Sequence, residues 1–283
     1  MSVGETRSHG IAVVRVAYPM DDWIRRQLIE RQPPGRPSPV MFQRWLHLLF
    51  LHWSLSPDIV QRTLPRGLQV DTFEGKAWIG IVPFLMRGVR PAGFPSVPGI
   101  SNFLELNLRT YVRDVSGRPG IWFYSLDANQ PLAVCFARAA FGLPYEFATM
   151  VAKLSDGEIS YRSQRFGHNH WLRYRYRASR KLGEARLGSL EFFLVERYRL
   201  FAHRGGKLFT GRVYHSPYQL SEVTVTEADP ALFAINGFET PTADPAHALY
   251  SGRVDVSIYP MDLVEPGRGR IDKTEDLSGC ELR

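Results

Sequence analysis

In "MVAKLSDGEISYRSQR", two runs rich in β-formers meet at Asp156–Gly157. The arrangement recurs around Glu74–Gly75, Ser116–Gly117 and Gly205–Gly206. A two-residue turn ending in glycine permits the positive φ angles that match the twist of paired strands, so each of these sites predicts a hairpin. A further strand is expected at Arg253–Ile258. A chain of hairpins must hide its edges, and closing the sheet on itself does so. The expected fold class is α+β, mainly antiparallel β, with a closed or nearly closed barrel-like sheet and peripheral helices.

Residues 1–40 read as an N-terminal extension. A short helix over Asp21–Gln32 would present Trp23, Ile24 and Leu28 as an apolar stripe. The proline-rich "RQPPGRPSP" then breaks it. One domain is expected over 41–264, followed by a polar tail at 265–283. Three more helices are expected within the domain. Ser56-Pro57 forms an N-cap and N1 pair, Asn129 caps "QPLAVCFARAAF" before Gly142, and Ser189 caps "LEFFLVER". "RGVRPAGFPSVPGIS", residues 87–101, reads as a long loop of the kind that forms lids.

Composition excludes several classes. Of the 283 residues, 44% are apolar, the share of a globular core, and no run nears the ~20 apolar residues that span a bilayer. With no signal-peptide pattern, the chain reads as intracellular and cytoplasmic, without a membrane partner. Cys135 and Cys280 are the only cysteines, and Cys135 reads as a small core residue. The charge of +7 is carried by arginine, since only Lys76, Lys153, Lys181, Lys207 and Lys273 among 35 basic residues are lysines. In "LRYRYR", Arg173, Arg175 and Arg177 alternate with Leu172, Tyr174 and Tyr176. Alternation puts basic and aromatic side chains on opposite faces, which favours a solvated strand over a nucleic-acid reader.

No glycine-rich phosphate cradle and no G-x-S-x-G occur. His168 and His170 share a strand face without a nearby third ligand, so no metal is expected, and no cofactor either. In "WLHLLFLHW", alternation groups His47 with Trp45, Leu49, Leu51 and Trp53, and His52 with Leu46, Leu48 and Phe50. His215 ends a strand before Pro217, where polar work is often done.

"NFLELNLRTYV" is the candidate site strand. At period two, Glu105, Asn107, Arg109 and Tyr111 point one way while Leu104, Leu106, Leu108 and Val112 point the other. Alternation alone reads the polar row as the wet side of a sheet.

"LHWSLSPDIVQRTLPRGLQVDTFEGKAWIGIVPFLMRGVRP", with "ELNLRTYV", "GIWFYSLDA" and "FGLPY", resembles the YqjF-like family of bacterial proteins. The match runs from about Trp45 to Tyr218 and more weakly to about Ile258. The resemblance implies the acetoacetate decarboxylase-like fold, with a buried central pocket. In those decarboxylases, a Gly-aromatic-Pro-Lys-Lys stretch follows an arginine-bearing helix, and its first lysine forms a Schiff base. Here Arg138, Gly142 and Pro144 match, but Tyr145 and Glu146 stand at the lysine positions. The resemblance also makes Glu105 the counterpart of a decarboxylase glutamate, which sets a pocket wall against the wet-face reading.

With Tyr145 in place of an amine, Schiff-base chemistry is excluded at that position. The implied function is a pocket for a small carbonyl or carboxylate compound. One version has acid–base lyase, hydrolase or isomerase activity through Glu105, Tyr145 and His215, with Arg109, Asn107, Tyr111 and His52 binding substrate. A ligand-binding protein without turnover is the alternative. A homo-oligomer is compatible with either.

Overall fold

The computed structural model describes residues 21–264. The first 20 residues of the expected extension and the expected tail, with Lys273 and Cys280, lie outside them. In chain order the elements are α1 (Asp22–Arg31), β1 (Met41–Leu55), α2 (Pro57–Gln61), β2 (Leu68–Val70), β3 (Ala77–Pro91), β4 (Phe103–Asp114) and β5 (Pro119–Ala128). There follow α3 (Pro131–Phe141), β6 (Tyr145–Ser155), β7 (Glu158–Arg165), β8 (Leu172–Gly183), α4 (Leu190–Val195) and β9 (Arg199–Arg204). The last are β10 (Lys207–His215), β11 (Leu220–Ala228), α5 (Leu232–Ile235) and β12 (His247–Leu263).

The twelve strands form one sheet, mostly antiparallel and nearly ring-closed. Its pairings run around two circuits that share β12, β1, β3, β4 and β5. The first returns through β9 and β10, which pairs with β12; the second returns through β6, β7, β8 and β11. The shared strands therefore have two insides, and alternation sends successive side chains into different cores. Val82 and Phe84 of β3 face the first core, Ile79 and Ile81 the second. On β4, Leu104, Leu106 and Leu108 enter the second core and are buried. The row from Glu105 to Tyr111 faces the first. Because both faces of β4 are enclosed, its polar row is the interior of a site and not a wetted surface.

The hairpins form largely where the turn signals put them. Glu74–Gly75, Asp156–Gly157 and Gly205–Gly206 have positive φ at both residues, whereas at Ser116–Gly117 only the glycine does. At Glu74–Gly75, however, the expected hairpin shrinks to one bridge, Phe73 with Lys76, and β2 pairs with β4 instead. Arg173, Arg175 and Arg177 are exposed, and Leu172, Tyr174 and Tyr176 buried, as alternation requires.

Several local expectations are corrected. Gln130, not Asn129, caps α3 by accepting from the Leu132 amide; the Asn129 side chain accepts from Leu104 on β4. The proposed grouping of His47 with both Trp45 and Trp53 fails. His47 sits at φ +54° where β1 gains one residue against β3, a bulge that reverses the alternation. Trp45 consequently joins Leu48 and Phe50 on the first core, while Trp53 serves the second. Cys135 is exposed on α3 rather than a core residue, because it lies on the helix face away from Val134 and Ala137. The 87–101 loop is shorter than expected, since β3 continues to Pro91. The short helix α5 and the strand β11 have no counterpart among the sequence expectations.

The helix α1 lies where the sequence puts it, but its most buried residues are polar. Gln27 donates from Nε2 to the carbonyls of Phe192 and Glu196, at 3.0 and 2.9 Å. Trp23 of its apolar stripe packs edge-on against Phe73 and Phe193.

Candidate functional site

A cavity of about 300 Å³ lies within the first circuit, lined by β1, β3, β4, β5, β9, β10, β12 and α3. Its wall is mainly apolar, with Trp45, Phe84, Phe103, Leu126 and Phe141 among the contributors. Glu105, Asn107 and Arg109 reach it from alternate positions of β4, and Tyr145 from the start of β6. The β4 register sets Glu105 opposite Phe84, Asn107 opposite Val82 and Arg109 opposite Gly80.

Tyr145 follows the αL residue Gly142, which ends α3 and turns the chain into β6. Arg138 holds that turn by donating from Nε to the Tyr145 carbonyl and from Nη2 to Glu146, which points outward. The Tyr145 hydroxyl then donates to Glu105 Oε2 at 2.7 Å, while Asn107 Nδ2 lies 3.4 Å from Oε1. Burial pushes the Glu105 carboxyl up to about 7, against the opposing pull of those two donors. Burial and the adjacent carboxylate push the Tyr145 phenol up as well. Near neutral pH, the pair can thus hold or release one proton at Glu105 while Tyr145 stays a donor.

Arg109 is 6% exposed and makes no ion pair among the described residues. Its guanidinium lies against the rings of Phe50 and Tyr111, and its nearest polar partner is the Tyr111 hydroxyl at 3.5 Å. Arg109 Nε and Asn107 Oδ1 are buried with no hydrogen-bond partner in the protein. Such groups cost free energy unless something pairs with them.

Three further arginines line the cavity, none of them singled out from sequence. Arg197 is paired with Asp71 at 2.8 Å, and Arg199 with Glu30 of α1 at 2.9 Å. Arg212 stands 3.0 Å from the same Glu30 carboxylate. The i, i+2 spacing of Arg197 and Arg199 in "VERYRL" was the available signal, since it places both on one face of an extended segment.

The other expected site residues do not line the cavity. Tyr111 lies behind Arg109, and its hydroxyl is 2.7 Å from His52 Nε2. His52 Nδ1 is 3.0 Å from His247 Nδ1, whose Nε2 stands 4.0 Å from Glu191. Burial, then the neighbouring His247 and Arg109, hold His52 well below its ordinary pKa, so it is neutral. A Cβ on Gly80 would come within 2.9 Å of the His52 ring, so the close approach of that ring depends on glycine. His215 is boxed by Tyr198, Tyr218 and Trp45, with its pKa pushed down to about 4 by burial. It is a neutral packing residue beside the cavity. The described lysines, Lys76, Lys153, Lys181 and Lys207, are all exposed. His170 is exposed and pairs with Asp229, and His168 is exposed too.

A mostly antiparallel, nearly ring-closed sheet around one interior pocket places the molecule among acetoacetate decarboxylase-like folds. Acetoacetate decarboxylase from Legionella pneumophila aligns over 93% of this chain and 98% of its own, with TM-score 0.57 and 12% identity. The enduracididine biosynthesis enzyme MppR complexed with pyruvate aligns over 82% and 93%, with TM-score 0.56 and 13% identity. At these identities the likeness is one of fold. Residues 42–255 match the DUF2071 family, described as "Uncharacterized conserved protein", and the chain belongs to that family. Protein YqjF of Bacillus subtilis (strain 168) is 35% identical over 223 residues, 78% of this chain and 91% of that protein. No described helix is long and apolar enough to cross a membrane.

Proposed function

We propose that the protein binds a small carboxylate or carbonyl compound in this cavity, and that Glu105 and Tyr145 handle a proton there. One observation carries the reading: Arg109 is a buried guanidinium on the cavity wall with no carboxylate of its own. A planar, always-charged donor fork suits a ligand carboxylate, which would also relieve the orphaned Nε. Asn107 Oδ1 accepts from a ligand hydroxyl or enol. Glu105, charged or neutral around pH 7, serves as the base or acid for a carbon next to a carbonyl, with Tyr145 as hydrogen-bond donor. His215, Tyr111 and His52 act on the ligand only through neighbours. With the described lysines exposed, an imine route finds no buried amine.

Titration calorimetry with acetate, pyruvate and acetoacetate tests the binding half, with Arg109→Met as the control that loses it. The chemical half is read by NMR in deuterium oxide, as exchange of the pyruvate methyl protons above the protein-free rate. Exchange abolished by Glu105→Gln identifies the base. Binding without exchange leaves a ligand-binding protein without turnover, and binding unaffected by Arg109→Met rejects the assigned role of the guanidinium.

A further inference from the structure

The shape of the cavity and the state of its cations say more about the ligand than that it carries a carboxylate. About 300 Å³ is room for roughly ten water-sized groups at ~30 Å³ each, far more than acetate or pyruvate fills. The polar groups are confined to one wall. By strand rise, the Cα atoms of Glu105 and Arg109 stand roughly 13 Å apart, with Arg109 at the end remote from α3. Glu105 lies nearer the α3 end, where Tyr145 joins it from the chain leaving that helix.

Beyond that pair the wall becomes apolar, and the cavity reaches the surface. Leu132 and Phe136 of α3, and Ile100 in the segment between β3 and β4, both line the cavity and are exposed, at 61%, 50% and 41%. Phe94 and Val97 on the same segment are exposed at 66% and 47%. A mouth rimmed by large apolar side chains suits an apolar entrant better than a hydrated one. The cations also narrow the headgroup. Arg197, Arg199 and Arg212 each already face a carboxylate, Asp71 or Glu30, so Arg109 is the guanidinium of the wall with no acid beside it among the described residues. A second carboxylate or a phosphate would have to compete with Asp71 or Glu30 for its cation, against a mainly apolar lining.

We propose that the ligand is a monocarboxylic acid with an apolar body of about ten heavy atoms, seated with its carboxylate on Arg109 and its tail between α3 and residues 92–100. This rests on the carboxylate reading above and narrows it to one class. The apolar body passes Asn107 and the Glu105–Tyr145 pair, so the carbons within reach of Glu105 lie along the body and not at its far end. Phe84, Leu126 and Phe141 pack against it. The exposed rim closes over the tail and loses its contact with water.

The test is a chain-length series of straight-chain monocarboxylates, from acetate to hexadecanoate, each below its micelle concentration. Each is compared with the primary alcohol of the same length. Binding is read by calorimetry and by the fluorescence of Trp45, which lines the cavity. Affinity should climb about fourfold per methylene, the equivalent of ~0.8 kcal/mol, and level off near about ten carbons. Each alcohol should bind at least about tenfold more weakly than its acid, since burying Arg109 unpaired is then not relieved. Phe136→Asp should cut the ratio of decanoate to acetate affinity by about tenfold or more. Its melting curve checks the fold, which an exposed position leaves intact. Acetate and pyruvate binding with no gain along the series would overturn the apolar-body proposal and leave the carboxylate reading standing. Alcohols binding as tightly as acids would overturn the carboxylate reading and with it the seating on Arg109. Failure of every member to bind would overturn both.

Discussion

The two circuits of the sheet share five strands and have opposite interiors. The second is filled: Tyr161, Tyr174 and Tyr176 are essentially without exposure, and its buried arginine has an acid beside it. Arg165 holds Asp127 at 2.7 Å and Ser125 at 2.6 Å, and the Tyr161 hydroxyl donates to the Glu105 carbonyl at 2.8 Å. The first circuit is hollow, with an unmatched guanidinium and a carboxyl that titrates near neutrality. β4 is the wall between them, so one strand contributes Leu106 to close packing and Asn107 to a cavity. The difference teaches that a buried cation marks a candidate site when no opposite charge stands beside it, not merely when it is buried.

The comparison breaks most visibly at its two arginines. Arg165→Met strands Asp127 in the filled side and should cost about 3–5 kcal/mol in urea unfolding. Arg109→Met, on the hollow side, removes a charge that has no partner, and should cost nothing or stabilise. Equal losses would mean that Arg109 is structural.

Next in size is the pH dependence of Glu105. Its folded pKa of about 7 exceeds the unfolded 4.5, so the folded state binds more protons between those values. Stability should therefore be highest with Glu105 protonated and fall as pH rises from 4.5 through 7. The shift corresponds to ~3 kcal/mol as an order of magnitude. Glu105→Gln should remove that slope, seen as a wild-type minus variant difference in unfolding free energy between pH 4 and pH 8. A difference flat with pH would refute the raised carboxyl.

Overpacking sharpens the contrast further. Ala148→Phe, in the filled core, should destabilise by about 1–3 kcal/mol or more, whereas Ala133→Phe enters the cavity and should cost less than about 1 kcal/mol. The latter should also exclude ligand. The smallest effect is expected for Tyr145→Phe. It removes a donor that lowers the Glu105 pKa, so the pH midpoint should move up at a stability cost of about 1 kcal/mol. A midpoint that moves down would reverse the assigned direction of that hydrogen bond.

Much of this was legible in the residues. Alternation split the two faces of β4 and β8 correctly, because strand geometry forces it wherever no residue is inserted, but its reading of the β4 polar row as the wet side is overturned by the burial of that row. It failed on β1 because the bulge at His47 adds one residue, and histidine in the left-handed region announces itself only weakly. Alternation also could not say that both faces of β4 are inside, since that depends on long-range pairings of β5 with β6 and β9. Tyr145 and Glu105 were found through a resemblance, and their contact needed the turn after α3 to be seen in space. His52, Tyr111 and His215 were misplaced relative to the cavity for a common reason. A polar residue on the correct face can still be covered by its neighbour, and periodicity carries no depth. Arg197 and Arg199 were missed because nothing local shows which arginines have found an acid.

Glu30 stands outside residues 42–255, yet its one carboxylate pairs with two arginines of the cavity wall. A fragment cut at the family limits would carry Arg199 and Arg212 beside the already uncommitted Arg109, and would lose the Tyr259–Met261 side of the wall. Such a fragment would present a more cationic wall than the longer chain does. The charge of this cavity wall is thus set partly by an acid supplied from a helix outside the matched segment.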